Sequence, residues 1–140
     1  MTSDERPDRT SVMESKAQSY KDLLVWQKGI ALTKLLYELT GRFPTEEKFG
    51  LVSQIRRAAV SVPSNIAEGH ELQTASFRLH VRVALGSVAE LDTQLELAAR
   101  LGWISTDDRA ALVAETRELE RMLRALRGAL TRCIDAEKPP

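Results

Sequence analysis

The stretch Ser61-Val62-Pro63-Ser64-Asn65-Ile66-Ala67-Glu68-Gly69 (SVPSNIAEG) sets a proline, two serines and an asparagine inside a regular helical pattern. Leu51, Ile55, Ala58, Ala59 and Val62 recur at the spacing of one helix face, and Ile66 continues that face in phase beyond Pro63. Pro63 removes one helical hydrogen bond and presses on the carbonyl of Ala59, so the in-phase pattern predicts a kinked but continuous helix. Ser61 or Ser64 is expected to bond a backbone group freed there. The alternative is a true break, with Asn65 and Glu68 forming a capping box for a new short helix. In the continuous helix, Arg57, Ser61, Ser64 and Glu68 share one stripe, with Gln54 and Asn65 along its edge.

Working outward, the same period governs the rest of the chain. A first helix is expected from about Asp22 to Thr40, capped by Gly41 and stopped by Pro44. Thr45 is the expected N-cap of the second, which ends at Gly69. A third runs from Thr74 to Gly102, and Ser105 with Asp108 resembles a capping box for a fourth that reaches about Ile134. No strand pattern competes. Short connections predict an all-α, antiparallel up-down four-helix bundle over residues 20–135. A polar, charged lead-in at 1–19 and a tail at 136–140 lack periodicity and are expected to be disordered.

At 140 residues the chain fits one domain with a sizeable core. Its 20 basic and 20 acidic residues cancel, so no global field advertises a nucleic-acid or membrane partner. The lone Cys133 excludes an intrachain disulfide and a cysteine-rich metal site; it is expected to be buried and inert on the apolar face of the last helix. No apolar run approaches the roughly 20 residues that span a bilayer. The N-terminus has no apolar signal core either, and a cytoplasmic location is expected.

Two helices carry more apolar surface than an isolated bundle needs. The third places Phe77, Val81, Ala84, Val88, Leu91, Leu95 and Ala99 on one stripe, and Leu79, Val83, Gly86, Leu97 and Leu101 on a second that includes Glu90 and Gln94. The first places Val25, Leu32, Leu36, Leu39 and Phe43 on one face and Trp26, Ile30 and Tyr37 on another. One face suffices for a core. The second predicts self-association through Trp26, Ile30, Tyr37, Leu79, Val83 and Leu97, unless imperfect bundle geometry merely widens the core stripe.

Catalysis finds no support. His70 and His80 belong to neither Glu-x-x-His nor His-x-x-x-His, so helical iron and zinc sites lack their ligands. Glu115-x-x-Glu118 lacks a second acidic pair, and there is no phosphate loop or nucleophile elbow. No catalytic, cofactor or metal residue is predicted, and His80 reads as a satisfied boundary histidine. On the fourth helix Arg109, Arg117, Arg121, Arg124, Arg127 and Arg132 lie opposite Leu112, Leu119, Leu123, Leu126 and Leu130. Arg117, Arg121, Arg124 and Arg127 could track the phosphates of a nucleic acid; an ordinary solvated face, or ion pairs with a neighbouring subunit, would look the same.

Trp26 and Gly29 in DLLVWQKG, Gln54-Ile55-Arg56-Arg57-Ala58-Ala59 leading into SVPSNIAEG, GSVAELDTQL at 86–95 and Leu101-Gly102-Trp103-Ile104 form a recognisable series. Over roughly residues 20–125 the chain resembles the four-helix-bundle family named after the 23S rRNA intervening-sequence protein. The resemblance implies an up-down bundle that assembles into a ring, homopentameric in similar proteins, with no established enzymatic activity. It also implies association with RNA or a ribonucleoprotein, since a similarly built pentamer serves a retroelement reverse transcriptase. That accessory protein is strongly basic, whereas this chain is neutral.

Within that frame SVPSNIAEG is expected to be a polar-lined segment. Arg57, Ser61, Asn65 and Glu68 would meet Glu90 and Gln94 at a bundle seam or subunit interface and fix register. Two functions follow: a non-enzymatic homo-oligomeric scaffold or accessory protein with an RNA or ribonucleoprotein partner, or a bundle holding a small molecule or metal around Asn65, Glu68 and Glu90.

Overall fold

A computed structural model describes residues 19–139, so the lead-in expected at 1–19 lies, apart from Ser19, outside the described residues. Four α-helices, and no strand among those residues, make the protein all-α: α1 Leu24–Thr40, α2 Leu51–His70, α3 Thr74–Arg100 and α4 Thr106–Glu137. Short 3-10 turns at Tyr20–Asp22 and Thr45–Glu47 precede α1 and α2.

Local chemistry places the helix ends, and in three places it moves them. Thr45 does not cap α2. It opens the 3-10 turn, and Glu47 Oε2 instead accepts the Leu51 N–H at 3.0 Å, so a carboxylate serves the first turn from outside. α1 likewise begins at Leu24 rather than Asp22, which belongs to the preceding turn. α4 runs past Ile134 to Glu137. Nothing in Asp135-Ala136-Glu137 breaks a helix, and the stop comes from Pro139, which holds Lys138 extended at ψ 137°. At the other end of α4, Ser105 Oγ accepts the Asp108 N–H at 3.1 Å as expected, with Asp107 and Asp108 facing the positive end of the helix dipole. Between α3 and α4, Gly102 turns the chain with φ 82°, a left-handed value that suits glycine.

α2 is one helix with Pro63 inside it, so the break reading does not hold. Pro63 has no N–H to offer the carbonyl of Ala59. That carbonyl is met from α1: Thr33 Oγ1 donates to Ala59 O at 3.2 Å while also bonding Gly29 O at 2.7 Å, one hydroxyl hydrogen shared between two acceptors. The freed group is therefore served across helices, not by Ser61 or Ser64. One turn earlier on α1, the bare Cα of Gly29 lets the Pro63 ring approach; a Cβ there would lie 3.3 Å from Pro63 Cδ.

The core runs along the inside of all four helices. Leu36, Ile55, Ile66, Leu91, Leu95, Leu119 and Leu123 are essentially without solvent contact, each burial stabilising by roughly 1.5–3 kcal/mol. α2 packs on α1 and on α3, and α4 packs on α3 and, through fewer contacts, on α1. α1 meets α4 where Lys28 bonds Glu115 and Glu118 (2.9 Å to Glu118), and the connections that follow α1 and α3 meet where the rings of Phe43 and Trp103 lie 5.6 Å apart. The close of α2 is tight: a Cβ on Gly69 would fall 2.7 Å from the Phe77 ring and 2.8 Å from His80 Cβ. These approaches hold α2 and α3 in the register that builds the polar seam.

Candidate functional site

The seam begins on α2. Asn65 Nδ2 donates to the Ser61 carbonyl at 2.8 Å and to Ser61 Oγ at 3.0 Å. A carbonyl can only accept, so the amide nitrogen faces Ser61 and Asn65 Oδ1 faces α3, where it accepts from His80 Nδ1 at 2.9 Å. The His80 proton therefore sits on Nδ1. Ser61 Oγ lies 2.8 Å from Ser87 Oγ, and Glu68 Oε2 lies 3.7 Å from His80 Nδ1. His80 is thus the satisfied boundary histidine that its position implied.

This network differs from the expected one. Ser61, Asn65 and Glu68 come together, but their partners on α3 are His80 and Ser87 rather than Glu90 and Gln94. Gln94 Nε2 bonds Glu90 Oε1 one turn away at 3.1 Å, and Gln94 Oε1 is buried without a partner. Arg57 points outward and is exposed. The reason is axial: where Gly69 abuts Phe77 and His80, Asn65 and Ser61 lie level with His80 and Ser87, and Glu90 falls further along α3. Ser87 was legible as a buried small polar residue beside Val88; only the register shows that it faces Ser61.

Beside the seam lies an apolar face. Leu79, Val83 and Leu97 on α3, and Ile30 and Tyr37 on α1, are exposed at values from 43% to 58%, and Val60 of α2 lies 40% exposed. Trp26 is half-buried, packed against the core and tilted on Tyr20 at 5.5 Å. Gly86 interrupts the α3 stripe, and a Cβ there would meet nothing within 4 Å.

The arginines of α4 divide. Arg109 is largely buried and bridges to α3, bonding Asp92 Oδ1 at 3.1 Å and Glu96 Oε1 at 3.3 Å. Arg124 pairs with Glu120 at 2.8 Å, while Arg117 and Arg121 are exposed and Arg127 is half-buried. With Asp92, Glu96 and Glu120, Arg109, Arg117 and Arg124 line a groove of about 640 Å³ between α3 and α4 whose walls carry both signs of charge, while Arg121 and Arg127 lie outside it. Hydrogen bonds from Arg100 and then Arg109 hold Glu96 below the usual carboxylate range. Across the bundle, Lys28 lowers Glu118 in the same way and is itself raised by its bonds to Glu115 and Glu118. Cys133, expected to be buried, is exposed. It lies in the last turns of α4, where Ile134 and Glu137 line a shallow pocket with Gln73, Thr74 and Ala75 at the start of α3.

Among the described residues no group of three or more His, Cys, Asp or Glu side chains is placed to hold a metal, and no helix is long and apolar enough to cross a membrane. Fold and surface define an all-α four-helix protein with a polar seam between α2 and α3 and several exposed apolar side chains on α1, α2 and α3. A family model described as 23S rRNA-intervening sequence protein matches residues 21–125, and the chain belongs to that family. Its fold is similar to that of a crystal structure from Bacteroides thetaiotaomicron, a protein with unknown function from the S23 ribosomal protein family. The TM-score is 0.70 at 24% identity, covering 75% of this chain and 96% of that one. No curated protein matches the chain. Neither description names an enzymatic activity.

Proposed function

We propose that this chain is a non-enzymatic, cytoplasmic, homo-oligomeric accessory protein. In this reading it is an up-down antiparallel bundle that closes into a ring, pentameric as the family resemblance implies, and serves an RNA or ribonucleoprotein partner. The antiparallel order is supported by contacts that run in opposite senses along successive helices: Thr33 with Ala59 and Tyr37 with Arg56, Asn65 with His80 and Ser61 with Ser87, Arg78 with Thr131 and Glu96 with Arg109.

The observation that carries the assembly is the α3 stripe Leu79-Val83-Gly86-Leu97. Leu79, Val83 and Leu97 are exposed, Gly86 flattens the stripe between them, and Glu90 is the exposed acid on it. A glycine inside a helix costs roughly 0.5–1 kcal/mol relative to alanine, and within the protomer nothing approaches Gly86 to offset that cost. A second copy seated on the stripe supplies the close approach. Ile30 and Tyr37 on α1 and Val60 on α2 are further exposed apolar side chains that an assembly could cover. For an RNA partner, the exposed Arg117 and Arg121 are the available cations, Arg109 being committed to Asp92 and Glu96. The pocket alternative draws no support from Glu90, which bonds Gln94 rather than Asn65 or Glu68.

Light scattering at low and high salt tests the assembly. A salt-resistant oligomer is expected, reduced in size by Leu79→Glu or Val83→Glu; a single-chain mass would refute it. RNA anisotropy over the same salts tests the partner, with loss of binding expected on reversing Arg117 and Arg121.

A further inference from the structure

A shallow cleft at the α1–α2 end of the bundle has chemistry that neither the core nor the seam uses. Tyr37, Lys48, Phe49, Val52, Arg56 and Arg57 line most of its roughly 530 Å³, and no carboxylate is among its lining residues. Lys48 and Arg57 form no ion pair among the described residues. The nearest acid on the connection, Glu47, is committed to the Leu51 N–H. Arg56 is pre-set: its Nε donates to Thr40 Oγ1 at 3.0 Å, its Nη2 to the Tyr37 carbonyl at 3.1 Å, and its guanidinium lies 4.4 Å from the Tyr37 ring centroid. A fork held in that way loses little freedom when it meets an anion. Phe49 stands next to these cations at 88% exposure, with Lys48 Nζ 5.5 Å from its ring centroid.

We infer that this cleft binds a nucleotide unit, with phosphate on Lys48, Arg56 and Arg57 and the base stacked on Phe49. Each component has its own cause. A fully presented aromatic ring beside clustered cations is what stacking and phosphate contact require together. A purely anionic ligand would have no use for Phe49, and a purely apolar one would leave three cations facing it. The same chemistry is offered by a free mononucleotide and by a single-stranded nucleic acid. The cleft is separate from the α4 arginines and does not depend on the assembly reading, although Tyr37 and Val60 border both surfaces.

The test is fluorescence anisotropy of a labelled single-stranded oligonucleotide, competed by an unlabelled nucleoside monophosphate and by poly-glutamate. Binding should weaken about tenfold in Phe49→Ala, as loss of one stacking contact predicts. It should also weaken, with a shallower salt dependence, in Lys48→Glu and Arg57→Glu. Phe49 is outside the core, so circular dichroism should show an unchanged fold. Competition by the monophosphate identifies a free nucleotide as sufficient; competition only by the longer strand identifies a single strand. The inference is overturned if neither nucleotide probe binds, if Phe49→Ala binds like wild type, or if poly-glutamate competes as well as the oligonucleotide. Native mass measured on the same samples separates the two readings: an oligomer that ignores nucleotides refutes the cleft alone, and a monomer with Phe49-dependent binding refutes the assembly alone.

Discussion

Replacing Thr33 by valine keeps the side-chain shape and removes the hydroxyl that serves the carbonyl left unpaired by Pro63. Ala59 is 2% exposed, so water cannot readily take the vacated place. An unpaired buried acceptor costs about 1–3 kcal/mol. The hydrogen is shared with Gly29 O and the Ala59 contact is the longer of the two, so a value near the lower half, about 1–2 kcal/mol, is expected for Thr33→Val. Pro63→Ala restores an N–H at position 63, which can bond Ala59 O along the helix. In that background the hydroxyl is no longer needed, and Thr33→Val should cost less than about 0.5 kcal/mol, within the range of ordinary surface changes. The sign of Pro63→Ala by itself does not matter. Relief of a helix-interior proline, worth up to about 3 kcal/mol, is set against lost packing of the ring on Gly29. The measurement is urea unfolding of the wild type, both single variants and the double variant. It is followed by far-UV circular dichroism at one protein concentration, because assembly would otherwise shift the midpoint. A coupling of about 1 kcal/mol is expected. Additivity within about 0.3 kcal/mol, the behaviour of independent sites, would refute the cross-helix rescue.

Gly86→Ala should stabilise the isolated protomer by about 0.5–1 kcal/mol, since its Cβ meets nothing, while shifting light-scattering mass toward the protomer; a stabilised protein with unchanged mass would count against the α3 stripe as interface. Gly69→Ala should cost about 1–3 kcal/mol by overpacking against Phe77 and His80, read as a lower urea midpoint; a neutral outcome would mean that the α2–α3 contact yields. Glu96 and Glu118 are both held below the usual carboxylate range, so the stability they add is present above their unfolded-state pKa and lost as pH falls through the folded value. Lys28 is raised, so its contribution is present below its unfolded-state pKa and lost only as pH rises through the folded value. Melting temperature should therefore decline on the acid side, and Glu96→Gln should flatten that decline; an unchanged acid slope would contradict the pairing. Cys133 should react with an aromatic disulfide reagent in the native protein about as fast as in urea, and a protected native thiol would show that its end of α4 is covered.

Most of the fold was legible because helix periodicity is a local property. The in-phase run from Leu51 to Ile66 was enough to carry α2 through Pro63, and Ser105 announced the start of α4 by a bond three residues long. Other ends were misplaced because two local signals competed. Thr45 is a good cap residue, but Glu47 lies nearer the first free N–H of α2, and the helical run of α4 stops only at Pro139. Cys133 was read as buried because periodicity assumes an inward face has something to face; α4 at 32 residues is longer than α3 at 27, and its last turns have little beside them. The polar seam was half legible: Ser61 and Glu68 share a stripe by arithmetic with Asn65 along its edge, yet nothing local pairs that stripe with His80 instead of Glu90.

The amino-acid sequence by itself determined four amphipathic helices, their inward faces and the family, because those depend on spacing within one segment and on motifs carried in order. The tertiary structure alone decided which polar groups meet: Thr33 with the carbonyl that Pro63 abandons, Asn65 with His80, Ser61 with Ser87, and Lys48, Arg56 and Phe49 around one cleft. Periodicity gives a helix's rotation about its own axis. The offset along that axis against its neighbour is set by close approaches such as Gly69 on Phe77 and Gly29 on Pro63, which exist only once the helices pack.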